Sequence, residues 1–131
     1  MKEEANEITS VESWFPNLPE TFKDDVFGSP KDFERLYRQV YGYPFDPPYI
    51  TASGAACGLL IQKCIERTKS MDPAVIREEL AKFDEMTFYG PIKFTPNGQL
   101  DRRAYALQIQ YPKTICVTPG LETGKFNYPM R

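Results

Sequence analysis

The fold of this chain is decided by two neighbouring segments, Tyr89-Gly-Pro-Ile-Lys-Phe-Thr-Pro-Asn-Gly-Gln-Leu100 and Tyr105-Ala-Leu-Gln-Ile-Gln-Tyr111. We interpret residues 88–95 as a strand that runs into a Pro-Asn-Gly turn. In the second segment large apolar residues alternate with Ala and Gln, the period of two that is typical of a half-buried strand. With a further strand over residues 114–117, this part of the chain is predicted to form strands.

A first helix is predicted from Pro30 to Tyr41. Ser29 is a suitable N-cap, Pro30 takes the first helical position, and Asp32 stands three residues after the cap. Gly42 provides the end of the helix. Its apolar residues recur at helical spacing, which predicts one buried face: Phe33, Leu36, Tyr37, Val40 and Tyr41.

Two more helices are predicted between the first helix and the strands. One runs from Ile50 to Thr68 and has many small residues in its first half. The other opens at Asp72-Pro73, ends before Thr87, and buries Ile76, Leu80 and Phe83. The rest should be a short strand within residues 8–15, a loop over 16–29, an extended connector over 43–48 and an irregular tail. The predicted fold class is α/β, with three helices and four or five short strands.

Length and composition limit the possible functions. A chain of 131 residues is the size of one domain, and we treat residues 1–131 as a single unit. Sixteen basic and eighteen acidic residues leave a net charge of −2 with no basic run, which argues against nucleic-acid binding. The first residues, MKEEANE, are charged and lack the apolar core of a secretory signal, so we expect no export signal in this sequence.

The three cysteines are expected to be buried free thiols. Cys57 and Cys64 lie seven residues apart on one predicted helix, about 10 Å, which is too far for a disulfide within that helix. The chain has no histidine to bind a metal, and we expect neither a metal nor a cofactor.

Catalytic motifs are missing from the sequence. There is no histidine, no Gly-x-Ser-x-Gly elbow, no Walker loop and no glycine-rich dinucleotide loop, so we do not expect an enzyme. Three acidic pairs, Asp24-Asp25, Glu78-Glu79 and Asp84-Glu85, are interpreted as solvated charges, the first and last of them in loops.

Three residues are candidates for contact with a ligand. Trp14 stands at the end of the first strand, and open α/β sheets bind ligands beyond the carboxyl ends of their strands. It could equally fill the interface between strand and loop. Glu12, two residues earlier, could meet a ligand ammonium group or only water. Tyr49, at the start of the second helix, is the third candidate.

The ordered set of motifs resembles the C-terminal part of solute-binding proteins of the branched-chain amino-acid type, the extracytoplasmic receptors of ABC importers. The motifs span residues 8 to 117 and include Glu12-Ser-Trp-Phe-Pro16, Tyr41-Gly42, the small-residue helix from Thr51, Asp72-Pro73, Tyr89-Gly-Pro-Ile-Lys-Phe and Asn97-Gly-Gln. The resemblance implies part of a two-lobe type I periplasmic-binding-protein fold. Residues 8–42 and 104–117 would belong to the C-terminal lobe and residues 49–100 to the N-terminal lobe.

What the resemblance implies about function is lobe closure around a small solute such as an amino acid or amide, followed by delivery to an ABC permease. The intact receptor would be periplasmic, or extracellular and lipid-anchored. Most of the ligand contacts of such receptors lie in the earlier two-thirds, and Ala55 stands where related sequences often carry an aromatic residue.

A chain that holds only pieces of two lobes should leave apolar helix faces uncovered, so we expect a homo-oligomer or a repacked α/β unit. Two alternative functions stay open. One is a cytoplasmic ligand sensor on the same fold, and the other is an oligomeric interaction module that binds no ligand.

Overall fold

The computed structural model describes residues 5–102, 104–111 and 113–128. These ranges contain three helices and five strands, which confirms the predicted α/β class. The elements in chain order are β1 Thr9–Glu12, α1 Pro30–Tyr41, α2 Tyr49–Thr68, α3 Pro73–Leu80, β2 Asp84–Thr87, β3 Gly90–Lys93, β4 Tyr105–Gln110 and β5 Lys113–Cys116. They fall into two compact units, one from residues 1–14 and 103–131 and the other from residues 15–102.

The first unit is a three-stranded antiparallel sheet in the order β1-β4-β5. The central strand β4 has the predicted alternation at its start, where Tyr105 and Leu107 are buried on either side of exposed Ala106. Gln108 breaks the pattern because it is fully buried. Residue 112, between β4 and β5, lies outside the described residues, and no helix or strand is found in residues 117–128.

Helix α1 of the second unit has the predicted start and end. The Ser29 side chain accepts the backbone N–H of Asp32, and the Asp32 carboxylate accepts the backbone N–H of Ser29. Gly42 ends the helix in the left-handed conformation, with φ of 63°.

The apolar stripe of α1 is not the buried face that its spacing predicts. Phe33 is buried and stacks on Phe88 with 4.5 Å between ring centroids. Further along the helix, Leu36, Val40 and Tyr41 are 41%, 64% and 66% exposed. Helical spacing identifies an apolar face, but within the unit only Phe33 of this face is buried and Tyr37 is half-buried.

Helices α2 and α3 start and stop close to the predicted positions. Helix α2 begins one residue earlier than predicted, at Tyr49, and buries Ala52, Ala56, Leu59, Leu60 and Cys64. Helix α3 is capped by Asp72, whose carboxylate accepts the N–H of Ala74. Phe83, just beyond α3, is buried as predicted, whereas Ile76 and Leu80 are only half-buried.

The single strand predicted over residues 88–95 is wrong in its first part. The chain forms a hairpin, with β2 and β3 paired and Phe88-Tyr89 at the turn. The buried hydroxyl of Thr87 donates to the carbonyl of Gly90 and accepts the N–H of Tyr89, which fixes this turn. Asp84-Glu85 therefore opens a strand instead of lying in a loop. The turn predicted at Pro96-Asn97-Gly98 is present. The N–H of Thr95 donates a hydrogen bond to the carbonyl of Gln99 across it.

The cysteines depart from expectation at one position. Cys64 and Cys116 are buried, but Cys57 is exposed because it lies on the outer face of α2. Across the described residues, no helix has the length and apolar character needed to span a membrane, and no group of three potential metal ligands occurs.

Candidate functional site

Two of the predicted ligand contacts belong to the first unit. Glu12 is the last residue of β1 and is half-buried, and desolvation by this burial raises the pKa of its carboxyl group. Trp14 follows two residues later and is 1% exposed, so its ring is closed off from solvent in this chain. Their role in ligand binding stays a prediction.

The third predicted contact, Tyr49, belongs to the second unit. It is the first residue of α2 and is 41% exposed. Its carbonyl group accepts a hydrogen bond from the Ser53 hydroxyl one turn later, at 2.9 Å. Its contribution to a ligand site also stays a prediction.

An apolar groove lies between α1 and α2, with a volume of about 390 Å³. No charged side chain lines it, and its only side-chain polar atoms are hydroxyl groups. We call it the α1–α2 groove, and it is lined by Phe27, Phe33, Leu36, Tyr37, Val40, Tyr41, Thr51, Gly54 and Ala55. A groove of this volume and composition suits apolar groups, either of a small molecule or of a protein surface.

The depth of the groove comes from the small residues of α2. A Cβ atom placed on Gly54 would meet nothing within 4 Å, so the helix surface is open there. Ala55, the position singled out in the sequence because an aromatic residue is expected there, lies next to Gly54 in the groove wall. The small side chain at Ala55 therefore leaves apolar surface uncovered.

The floor of the groove is held in place by Asp24. Its carboxylate accepts the N–H groups of Val26 and Phe27 from its own loop and the N–H of Phe88 from the β2–β3 turn. The rings of Phe27 and Phe88 then meet edge to face, with centroids 4.9 Å apart. Asp24 was predicted to be a solvated charge, and this prediction missed its role as an acceptor of backbone N–H groups. The sequence signal for that role is its place four residues before Gly28, because Asp side chains often accept backbone N–H groups in turns.

A second polar contact connects the β2–β3 turn to α2. The hydroxyl groups of Tyr89 and Ser53 are 2.7 Å apart, and the Arg102 guanidinium lies 4.0 Å from the centre of the Tyr89 ring. Both contacts engage a ring that is 6% exposed. They join the turn to α2 and leave Tyr89 little access to a ligand.

Comparison with known proteins identifies the fold. No protein-family model matches the chain. The crystal structure of a leucine-binding protein from Thermotoga maritima is similar over 87% of this chain, with a TM-score of 0.67 and 21% sequence identity. This likeness confirms that the chain has part of the type I periplasmic-binding-protein fold. The match covers 31% of that protein, so the chain spans about a third of its length.

Proposed function

We propose that this chain acts as the C-terminal portion of a solute-binding protein of the branched-chain amino-acid type. The observation that carries the proposal is the likeness of fold, over 87% of the chain, to a protein described as leucine-binding. The order of motifs along the sequence supports the same assignment. We propose binding without catalysis, since the similar protein is a binding protein and the sequence lacks histidine and the common catalytic motifs.

The proposed mechanism is closure of two lobes around a small solute such as an amino acid or amide, which is then delivered to an ABC permease. Residues 8–42 and 104–117 would contribute to one lobe and residues 49–100 to the other. Trp14 is 1% exposed in this chain, so it would offer an apolar surface to the side chain of the solute only where the open form of the intact receptor uncovers its ring. The Glu12 carboxylate would pair with its ammonium group, and Tyr49 would add a contact from the other lobe.

Thermal denaturation of the product of the whole reading frame that contains this chain tests the proposal. Leucine, isoleucine, valine and small amides would each be added to the purified protein. A compound that binds the folded protein at about 100 times its Kd stabilises it by about 2.7 kcal/mol, which raises Tm by several degrees. An unchanged Tm with every compound would contradict the proposed ligand class.

The site residues need a separate comparison. Trp14→Ala and Glu12→Gln should weaken solute binding by about tenfold or more, because each removes a contact made in the closed state. Glu20→Gln changes an exposed carboxylate of the adjoining loop and is the matched control. Equal affinities for all three variants would remove Trp14 and Glu12 from the site while leaving the binding function in place.

One observation favours an additional property, self-association. Large apolar side chains of α1 and of the connector after it are exposed in the second unit. The alternative of an oligomeric interaction module depends on the same surface. A homo-oligomer of this chain is therefore part of the proposal.

A further inference from the structure

We infer that Ser53 and Tyr89 are positioning residues for solute binding. The contact between their hydroxyl groups holds the first turn of α2, and with it Tyr49, in place. The inference rests on the proposed function, which assigns Tyr49 a contact with the solute. Neither Ser53 nor Tyr89 is proposed to touch the solute, and both belong to the second unit.

The first turn of α2 lacks the side-chain cap that the other two helices have. Ser29 and Asp72 cap α1 and α3 through their side chains. The cap position of α2 is Pro48, and within the described residues no side chain caps this helix. An uncapped helix start frays more readily, because its first N–H groups have no partner in the helix. Tyr49, the first residue of α2, lies in this turn.

Ser53 connects the first turn of α2 to the rest of the second unit. Its hydroxyl group donates to the carbonyl of Tyr49 at 2.9 Å and lies 2.7 Å from the hydroxyl group of Tyr89. Because the one proton of the Ser53 hydroxyl goes to the Tyr49 carbonyl, the Tyr89 hydroxyl is the donor in the second bond. The start of α2 is therefore bonded through Ser53 to the β2–β3 turn.

Tyr89 is a fixed partner for Ser53. Its ring is 6% exposed, and the guanidinium group of Arg102 lies 4.0 Å from the ring centre. Its backbone N–H donates to the Thr87 hydroxyl at 3.1 Å, one of the bonds that form the β2–β3 turn. A side chain that is locked by packing and by its own hydrogen bonds can hold a second residue in a defined position.

The consequence for binding is that the first turn of α2 is ordered before a solute arrives. Tyr49 is 41% exposed, yet its backbone is already bonded to Ser53. Order that is present in the free protein does not have to be formed on binding, so it raises the affinity. Without the Tyr89 hydroxyl, the solute would have to order this turn itself.

Calorimetric titration of leucine, isoleucine and valine into the product of the whole reading frame tests the inference. Tyr89→Phe removes one hydroxyl group and keeps the ring, and Ser53→Ala removes the other hydroxyl group. Each should raise the Kd of a bound probe by about three- to tenfold, the effect of one hydrogen bond. Thr68→Val is the matched control and should leave the Kd unchanged. The Thr68 hydroxyl also donates to the carbonyl four residues earlier, that of Cys64, but at the opposite end of α2.

A double-mutant cycle separates positioning from direct contact with the solute. Tyr49→Ala removes the side chain but keeps the carbonyl group that Ser53 bonds, and it should raise the Kd by about tenfold. If Tyr89 acts through Tyr49, adding Tyr89→Phe to Tyr49→Ala should raise the Kd no further. Two independent contacts would instead have additive effects.

A new helix cap should restore the affinity that Tyr89→Phe loses. Pro48 is exposed and has the extended backbone of an N-cap residue, with φ of −60° and ψ of 148°, so Pro48→Ser places a preferred capping side chain there. In Pro48→Ser combined with Tyr89→Phe, the Kd should return to nearly the unmodified value.

Hydrogen exchange of the solute-free protein gives the matching structural readout. The amides of Thr51 and Ala52 bond the carbonyl of Pro48 in the first turn of α2. Both should lose protection in Tyr89→Phe and regain it when Pro48→Ser is added.

Three outcomes would overturn the inference and leave the proposed function in place. The first is a Kd that neither Ser53→Ala nor Tyr89→Phe changes. The second is an additive cycle, or a Tyr49→Ala variant that binds as tightly as the unmodified protein. The third is restored protection of the first turn by Pro48→Ser without restored affinity. Failure of the unmodified protein to bind any probe would contradict the proposed ligand class, and the inference with it.

Discussion

The Asp24 carboxylate accepts the backbone N–H of Phe88 at 2.8 Å, a contact between residues 64 positions apart in the sequence. Its other oxygen accepts the N–H groups of Val26 at 2.9 Å and Phe27 at 2.7 Å. One side chain thereby joins the loop before α1 to the β2–β3 turn. It also positions the rings of Phe27 and Phe88, against which Phe33 at the start of α1 packs.

Replacing Asp24 should destabilise the second unit. Asp24→Ala leaves three backbone N–H groups without their acceptor, and we expect a loss of about 2–3 kcal/mol in the free energy of unfolding. Urea denaturation measures the change. Asp25→Ala is the matched control, because the Asp25 side chain is 76% exposed in its ion pair with Lys63 and its loss should lower the urea midpoint much less. Equal midpoints for the two variants would disprove this role of Asp24.

The capping box of α1 should make stability depend on pH. The Asp32 carboxylate accepts hydrogen bonds from the backbone N–H and the hydroxyl group of Ser29. These bonds lower the pKa of the Asp32 carboxyl below its ordinary value, and the backbone N–H has the larger effect. Because the folded-state pKa is the lower one, the stabilisation is complete above the unfolded pKa of about 4 and is lost as the pH falls through the folded pKa.

Tm curves against pH test this linkage. Between about pH 5 and about pH 3, Tm of the unmodified chain should fall more steeply than Tm of Asp32→Asn. Glu20→Gln, a change at an exposed carboxylate, should follow the unmodified chain. Parallel curves for the unmodified chain and Asp32→Asn would show that the capping box does not contribute to the pH dependence.

The same substitution at two glycines should have opposite effects. Gly58 is exposed within α2, and a Cβ there would meet nothing within 4 Å, so Gly58→Ala should stabilise the chain by about 0.5–1 kcal/mol. Gly42 ends α1 with a φ of 63°, which alanine adopts with strain, so Gly42→Ala should destabilise it by about 1 kcal/mol. Urea denaturation measures both, and a stabilising Gly42→Ala would contradict the left-handed end of α1.

Gln108 should stabilise the position of the C-terminal segment of the first unit, residues 117–128, which we call the tail. Its amide nitrogen donates to the carbonyls of Glu7 and Asn127, and its oxygen accepts the N–H of Asn127 and the amide of Gln110. We expect Gln108→Ala to cost about 3 kcal/mol, because it leaves a cavity and unpaired backbone groups.

Hydrogen exchange distinguishes a local effect from a global one. In Gln108→Ala the amide of Asn127 should lose its protection first, since its acceptor is removed. Gln110→Ala removes the bonds of the Gln110 amide to Gln108 and to the Lys125 carbonyl but keeps the Gln108 oxygen that accepts the Asn127 N–H, so it should lower the protection of Asn127 less than Gln108→Ala does. Unchanged protection of Asn127 in Gln108→Ala would show that other contacts hold the tail.

Local signals predicted most of the fold. The Ser29-Pro30 start, the Gly42 end and the Asp72 cap depend on contacts within a few residues, and each is present as predicted. The β2–β3 hairpin was missed because Thr87 fixes its turn through a side-chain contact that periodicity does not reveal. Asp24 was missed for a similar reason, since Phe88 is distant in sequence. Spacing showed which face of α1 is apolar but not whether another element covers it.

The DNA sequence upstream of the first codon of this chain tests the central claim most directly. We predict an in-frame region that continues upstream for about twice the length of this chain and encodes the rest of a two-lobe binding protein. This expectation follows from a match that covers 31% of the similar protein. A stop codon directly upstream, with its own ribosome-binding site, would contradict the assignment of this chain as the C-terminal portion of a solute receptor.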